Sequence, residues 1–286
     1  MDKVNELPVT VYTPDSGLRN PTRLMAGLFA DLWRGRELAW RLFLRDLSAQ
    51  YRQTYLGYFW AVFPPLVTSL TFIFLNSQGI TRIESEGMPY AAFAMIGTLL
   101  WQVFVDALAS PLQALQAAKP MLTKINFPRE AVLLGGLAMV AFNFLVRLLL
   151  LAGVMAWFRI PIGPEILLFP FAMVGLLLTG FSLGLAVTPL AALYGDVGRA
   201  IPIVGGFWML LTPVVYPTRT EGMAGWLAIW NPVSPLIVTA RECLTAQPLT
   251  MVIPAMMVMV AAAVVALLGL LAFRLAMPHL IARMGG

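Results

Sequence analysis

The chain has 286 residues, of which 59% are hydrophobic and only 12% charged, with a formal net charge of +5. Soluble domains carry about a quarter charged residues, so this balance, with a mean hydropathy of +0.81, excludes an ordinary water-soluble globule and places the chain among integral membrane proteins. A single histidine, His279, and a single cysteine, Cys243, exclude a disulfide framework and a structural His/Cys metal site, so no metal is expected.

Residues 1–20 are polar, with Pro8, Pro14 and Gly17, and read as a flexible lead-in. After Pro21-Thr22, apolar residues recur at three- and four-residue steps: Met25, Leu28, Phe29 and Leu32, then Trp40, Phe43, Leu44, Leu47 and Tyr51. Arg34, Arg41, Arg45 and Arg52 fall mostly on the opposite face. The pattern predicts a helix lying in the cytoplasmic membrane interface or packed on a partner protein, with Gly35 as a break. Gly57 then permits the chain to turn from lying on the membrane to crossing it. Because residues 1–57 are polar or amphipathic, no secretory signal peptide is expected.

A bilayer core takes about 20 apolar residues to cross. Stretches of that kind lie at 58–76, 90–112, 131–158, 166–193, 199–217 and 251–273, which predicts six spans. Pro64-Pro65 loosens the first. Segment 226–240 is apolar too, but Pro232 and Pro235 would free backbone groups that lipid cannot satisfy. A short interfacial or re-entrant hairpin is expected there, within an external loop at about 218–250. The expected fold class is therefore an all-α integral membrane protein. Residues 1–57 form the cytoplasmic lead-in and interfacial helix, 58–273 the six-helix domain with its external gate hairpin, and 274–286 a cytoplasmic tail.

Six spans put both termini on one side. The opposite side receives only Arg82, Arg159, Arg219 and Arg241, and Arg147 lies inside a span; the remaining Lys and Arg fall on the terminal side. Positive residues accumulate in the cytoplasm, so both termini are expected there. The sequence pI near 9.7 then reflects topology and not nucleic-acid binding, since no soluble domain presents the basic residues.

The three lysines, Lys3, Lys119 and Lys124, do not follow glycine, so there is no phosphate-cradling G-x-x-x-x-G-K-[ST] and no ATPase site of that type. Gly180-Phe181-Ser182-Leu183-Gly184 matches G-x-S-x-G, but the hydrolase motif needs a strand-to-helix elbow, and this copy lies in an apolar span. An intramembrane serine protease is the remote alternative, with His279 as its only candidate base. Gly180 and Gly184 read instead as a small-residue face for helix packing. Asp106 and Arg147 are ionisable residues inside spans, and rise-per-residue counting puts them within roughly 8 Å of the same depth, which arginine can bridge. They read as a structural pair, as two groups facing water separately, or as the polar wall of an internal cavity. The aromatic residues Tyr58, Trp60, Phe63, Phe72, Trp101, Phe104, Trp208 and Tyr216 read either as interfacial belts or as the lining of a glycan path, because sugar C–H faces stack on aromatic rings.

Several motifs in order resemble the permease subunit of type-2 ABC exporters for O-antigen, capsular or teichoic-acid polysaccharides. These are Arg45-Asp46, Tyr51-Arg52-Gln53-Thr54, Leu56-Gly57 and Trp60-Ala61; then Phe127-Pro128-Arg129-Glu130; then Tyr194, Asp196 and Val197. Thr212-Pro213-Val214-Val215-Tyr216-Pro217, Asn231-Pro232 and Arg241-Glu242 complete the series, from about residue 38 to 274. Pro64 and Gly195 depart from it, standing where glutamine and arginine are usual.

The resemblance implies a type-2 ABC exporter fold and a chain that is not itself an enzyme. It implies a homodimer with two copies of a separate ABC ATPase, ATP and Mg bound to that ATPase with no cofactor in this chain, and a lipid-linked polysaccharide moved across a bacterial inner membrane. Lys119, Lys124, Phe127, Pro128, Arg129 and Glu130, with Tyr194 and Asp196, would contact the ATPase. Arg41, Arg45, Tyr51 and Arg52 would receive the substrate at the interface. Tyr58, Trp60, Phe63, Trp101, Phe104, Asp106, Trp208 and Tyr216 would line the path, and Trp230, Asn231, Pro232, Arg241 and Glu242 would form the external gate. An ABC exporter of a drug or small amphiphile is the alternative that shares this architecture.

Overall fold

A computed structural model describes residues 27, 30–51, 59–80, 83, 87–122, 124, 127–218, 225, 228 and 230–284. Among these residues the protein is helical and contains no strand. In chain order the helices are α1 (Arg36–Tyr51), α2 (Phe59–Ser77), α3 (Tyr90–Leu122), α4 (Glu130–Trp157), α5 (Phe169–Leu193), α6 (Gly195–Leu211), α7 (Ser234–Leu244) and α8 (Val252–Met284). A 3₁₀ turn, Pro164–Leu168, leads into α5.

Each stretch predicted to span coincides with one of α2, α3, α4, α5, α6 and α8. Among the described residues, four helices are long and apolar enough to cross a membrane: Tyr90–Leu122, Glu130–Trp157, Pro164–Leu193 and Val252–Pro278. The apolar part of α2, Phe63–Ser77, is shorter, and α6 has 17 residues.

Both α3 and α8 run to 33 residues, past the ends set by hydrophobicity. The region expected to be a cytoplasmic loop from residue 113 is therefore helical as far as Leu122, and the expected tail from residue 274 is the last part of α8. The physical reason lies in the residues: Gln113, Ala114, Leu115, Gln116, Ala117, Ala118 and Lys119 are strong helix formers, so the helix persists after the apolar stretch stops.

Helix α3 is the centre of the bundle. Its apolar stretch is 72% buried, against 22% for α4 and for α8. It packs against α5, α4 and α2, while α8 packs on the other side of α5. Glycines set the closest approaches. A Cβ on Gly184 would sit 2.0 Å from the Leu108 carbonyl oxygen, and one on Gly180 2.6 Å from that of Phe104, so α5 meets α3 backbone to backbone. Gly136 of α4 comes similarly close to Ser110 and Ala114.

Helix α1 packs on the protein's own helices through one face. Ala39, Leu42 and Phe43 are buried. They pack on the protein's own α4: Gly135 abuts Ala39 and Leu42, and the rings of Phe43 and Phe142 lie 6.2 Å apart. Trp33, ahead of α1, and Trp40 and Leu44 on it remain exposed. The break expected at Gly35 is present as a turn between helical residues 30–34 and α1.

In the proline-containing segment, residues 219–224, 226, 227 and 229 lie outside the described residues. Residues 225, 228 and 230 are helical, Pro232 and Val233 turn, and α7 follows with all 11 of its residues buried. Eleven residues span only about 16 Å, too short to cross. Helix α7 is thus held inside the protein, against α5, α8, α3 and the 3₁₀ turn.

Candidate functional site

Four polar residues on α3, Gln102, Asp106, Ser110 and Gln113, recur at steps of four, four and three and so share one helix face. Asn143 and Arg147 do the same on α4. These faces bound a cavity of about 340 Å³, which Asp46 and Gln50 of α1 and Trp60 and Pro64 of α2 complete. Asp106 ties the walls together. One of its oxygens accepts a hydrogen bond from the Arg147 guanidinium at 2.6 Å, and the other accepts from the Gln102 amide at 3.1 Å. Both charged side chains are largely buried, 6% exposed for Arg147 and 18% for Asp106. The pair anticipated from depth is therefore formed, and it is also part of a cavity wall. Gln102, Ser110, Gln113 and Asn143 were missed by reading charges alone; their helical spacing inside apolar spans was the available signal.

Lacking an N–H, Pro64 cannot donate to the Trp60 carbonyl one turn back. Downstream, Thr68 and Ser69 donate to the carbonyls of Pro64 and Pro65, and the hydroxyls of Ser69 and Thr98 meet at 2.6 Å, fixing α2 on α3. Despite two adjacent prolines, α2 continues through them.

The residues expected to contact the ATPase gather at one end of the bundle. Lys119 and Lys124 are exposed there, and Phe127, Pro128 and Arg129 are half-buried. Gly198, near the start of α6, abuts Leu112 of α3, which brings the Tyr194–Asp196 corner to the same end. Tyr194 is exposed, and Asp196 pairs with Arg199 at 3.3 Å in the open.

Glu130 differs from its neighbours. It is buried and lies 3.5 Å from Arg274 of α8. Arg274 also reaches Asp31, ahead of α1, at 2.7 Å. Glu130 thus faces inward as an anchor.

At the opposite end, the expected gate residues are mostly internal. Arg241 is buried, donates to the carbonyls of Pro213 and Val214 at 2.8 and 2.7 Å, and lies over the Phe93 ring at 3.9 Å. It therefore satisfies carbonyls released where α6 ends. Glu242 accepts from the backbone N–H and the hydroxyl of Thr250. Asn231 accepts from the Trp208 indole at 3.1 Å and donates to the Thr212 hydroxyl at 2.8 Å. Trp230 and Pro232 are exposed.

The aromatic candidates divide. Trp101 and Phe104 are buried and form a cluster with Trp208, with ring centroids 5.1 to 6.3 Å apart; they pack helices and do not line the cavity. The Tyr216 hydroxyl donates to the Leu210 carbonyl. Trp60 and Phe63, with Phe59, form an exposed aromatic group at the start of α2, and of these Trp60 lines the cavity. Arg41 pairs with Glu37 and Arg45 with Asp46 on α1. Arg52, Gly57, Tyr58 and the side chain of Tyr51 lie outside the described residues.

The G-x-S-x-G match has a structural role. Ser182 is buried and its hydroxyl donates to the Thr179 carbonyl one turn back, while Gly180 and Gly184 make the α3 seam. The side chain of His279 lies outside the described residues.

Comparison with known proteins agrees with this architecture. Residues 37–245 match the family described as ABC-2 type transporter. The O-antigen export system permease protein RfbA of Myxococcus xanthus is 26% identical over 198 residues, covering 68% of this chain and 74% of that protein. The O-antigen export system permease protein RfbA of Klebsiella pneumoniae is 22% identical over 200 residues, covering 69% of this chain and 76% of that protein. With more than half of its length matched, the chain belongs to the ABC-2 type transporter family, as a membrane permease.

Proposed function

We propose that this chain is the permease of an ATP-driven exporter that moves a lipid-linked polysaccharide from the cytoplasmic to the outer side of a bacterial inner membrane. The observation that carries the reading is similarity to two O-antigen export permeases over more than two thirds of the chain. On this reading, α2 to α6 and α8 cross the membrane with both termini in the cytoplasm, and two copies pair around the path. Two copies of a separate ABC ATPase, holding ATP and Mg, dock at the end that carries Lys124, Phe127, Arg129 and Tyr194. Closure of the ATPases is transmitted through the α3–α4 connection to α1, and the α7 hairpin lies at the exit.

The test is deletion of the gene together with purification of the complex. Loss of surface polysaccharide, accumulation of its lipid-linked form inside the cell and co-purification with an ABC ATPase are expected. Surface polysaccharide at the parental level after deletion would defeat the reading and favour a smaller amphiphilic cargo.

A further inference from the structure

We infer that α6 is a lever pinned at its external end: Arg241, Gly97 and Asn231 hold residues 208–215 as one block with α3 and α7, and the cytoplasmic start of α6 swings about that pin. The inference rests on the exporter reading above and adds to it the element that moves and the residues that position its pivot.

The pin is a set of polar contacts gathered at one end of the helix. Arg241 of α7 is 4% exposed and donates to the carbonyls of Pro213 and Val214 at 2.8 and 2.7 Å, just past the last residue of α6. Its guanidinium rests on the Phe93 ring of α3 at 3.9 Å, so one side chain joins three elements. Gly97, one turn further along α3, makes the room: a Cβ there would collide with the Val214 carbonyl oxygen and press on the Arg241 guanidinium. The Tyr90 hydroxyl donates to the Val215 carbonyl at 3.0 Å. From the other side, Asn231 accepts from the Trp208 indole at 3.1 Å and donates to the Thr212 hydroxyl at 2.8 Å. Breaking such bonds away from water leaves polar groups bare, so this end is held as a unit.

The rest of α6 is held differently. Among the described residues, the side-chain bonds of residues 195–207 stay within the helix, as Arg199 to Asp196 at 3.3 Å. Where Gly198 and Gly205 face α3, the nearest atoms are methyl groups of Leu112 and Val105, whereas Gly180 and Gly184 of α5 meet the α3 backbone. Only Gly205 and Met209 of its 17 residues are buried. Ile203, Val204, Phe207 and Leu210 are exposed and left to lipid or to a second copy. Contacts between apolar tips permit sliding that a hydrogen-bonded end resists. The free end is also the driven one, because the Tyr194–Asp196 corner lies where the ATPase is proposed to dock. From Asp196 to Trp208 is about 18 Å at 1.5 Å per residue, so a swing of about 10° moves the driven end roughly 3 Å and leaves the pin in place.

The experiment uses the full chain in complex with its ATPase in lipid nanodiscs, with labelled protein diluted into unlabelled so that distances within one chain are read. Two pairs of exposed positions carry spin labels: Arg199→Cys with Leu268→Cys towards one side of the membrane, and Leu210→Cys with Met257→Cys towards the other. The native Cys243 is buried and stays unlabelled. Trapping the ATPase with ATP and vanadate should shift the Arg199–Leu268 distance by about 3 Å and the Leu210–Met257 distance by less than about 1 Å. Arg241→Met should release the pin, so that the second pair shifts as well. If that variant fails to assemble, the wild-type distances decide the matter. Equal shifts at both pairs, or a shift confined to the second, would overturn the pin, as would an Arg241→Met complex whose second pair stays fixed. No shift at either pair in a complex that still exports its cargo would overturn the lever and leave the exporter reading in place. A chain that purifies without any ABC ATPase would remove the exporter reading and this inference with it.

Discussion

Asp106 and Arg147 face each other across α3 and α4 in a setting where neither ion has water enough to stand alone. Removing one partner of a buried pair leaves a bare charge and costs about 3–5 kcal/mol, whereas replacing both by apolar groups of similar volume is often close to neutral. Arg147→Met should therefore strongly lower the melting temperature of the detergent-purified protein. Asp106→Leu combined with Arg147→Met should recover most of that loss. A double variant no more stable than the single one would show that the pair is not the unit. Depth counting showed that this pair was possible, because rise per residue is a local property of helices, but only the packing of α4 on α3 joined the two side chains. The inward turn of Glu130 was not readable, since its partner Arg274 is distant in sequence.

Among the helices, the link through Arg274 stands out. One guanidinium joins the last part of α8, the first residue of α4 and the helical segment before α1, through Glu130 at 3.5 Å and Asp31 at 2.7 Å. It lies beside Phe127, Pro128 and Arg129, where the ATPase is proposed to dock. Arg274→Leu should leave the protein in the membrane but reduce substrate-stimulated ATP hydrolysis about fivefold or more, the lower range of coupling between sites. Arg274→Lys, which keeps the charge, should restore part of it. Full stimulation in Arg274→Leu would limit this triad to a structural role. The extended length of α3 follows from helix-forming residues that were present in the sequence but lay beyond the apolar boundary used to end the span.

For the molecule as a whole, the sidedness proposed from arginine placement has a direct test. Cys243 is the native thiol and is fully buried. Burial, with the carboxylate of Glu242 beside it, pushes its pKa up, so the reactive thiolate is scarce. The natural chain should stay unlabelled by a membrane-impermeant maleimide. Ile80→Cys should label in cells with a permeable outer barrier and an intact inner membrane, and Lys124→Cys only after the inner membrane is opened. The reverse pattern would invert the topology.

Composition and apolar run length by themselves determined a helical membrane protein and where its long apolar helices lie, and Pro232 and Pro235 argued against a span at 226–240. These depend on the transfer of local segments between water and lipid, and a segment's own residues decide that. The same holds for the glycine face at Gly180 and Gly184, a spacing rule on one helix. Only the tertiary structure decided that Trp101 and Phe104 fill the core, that Arg241 caps the end of α6, and that α1 packs on α4. It also turned four separate polar residues on α3 and two on α4 into one cavity wall. The reason is physical: a side chain's partner is set by which helix lies opposite, and that pairing arises from packing between segments far apart in the chain.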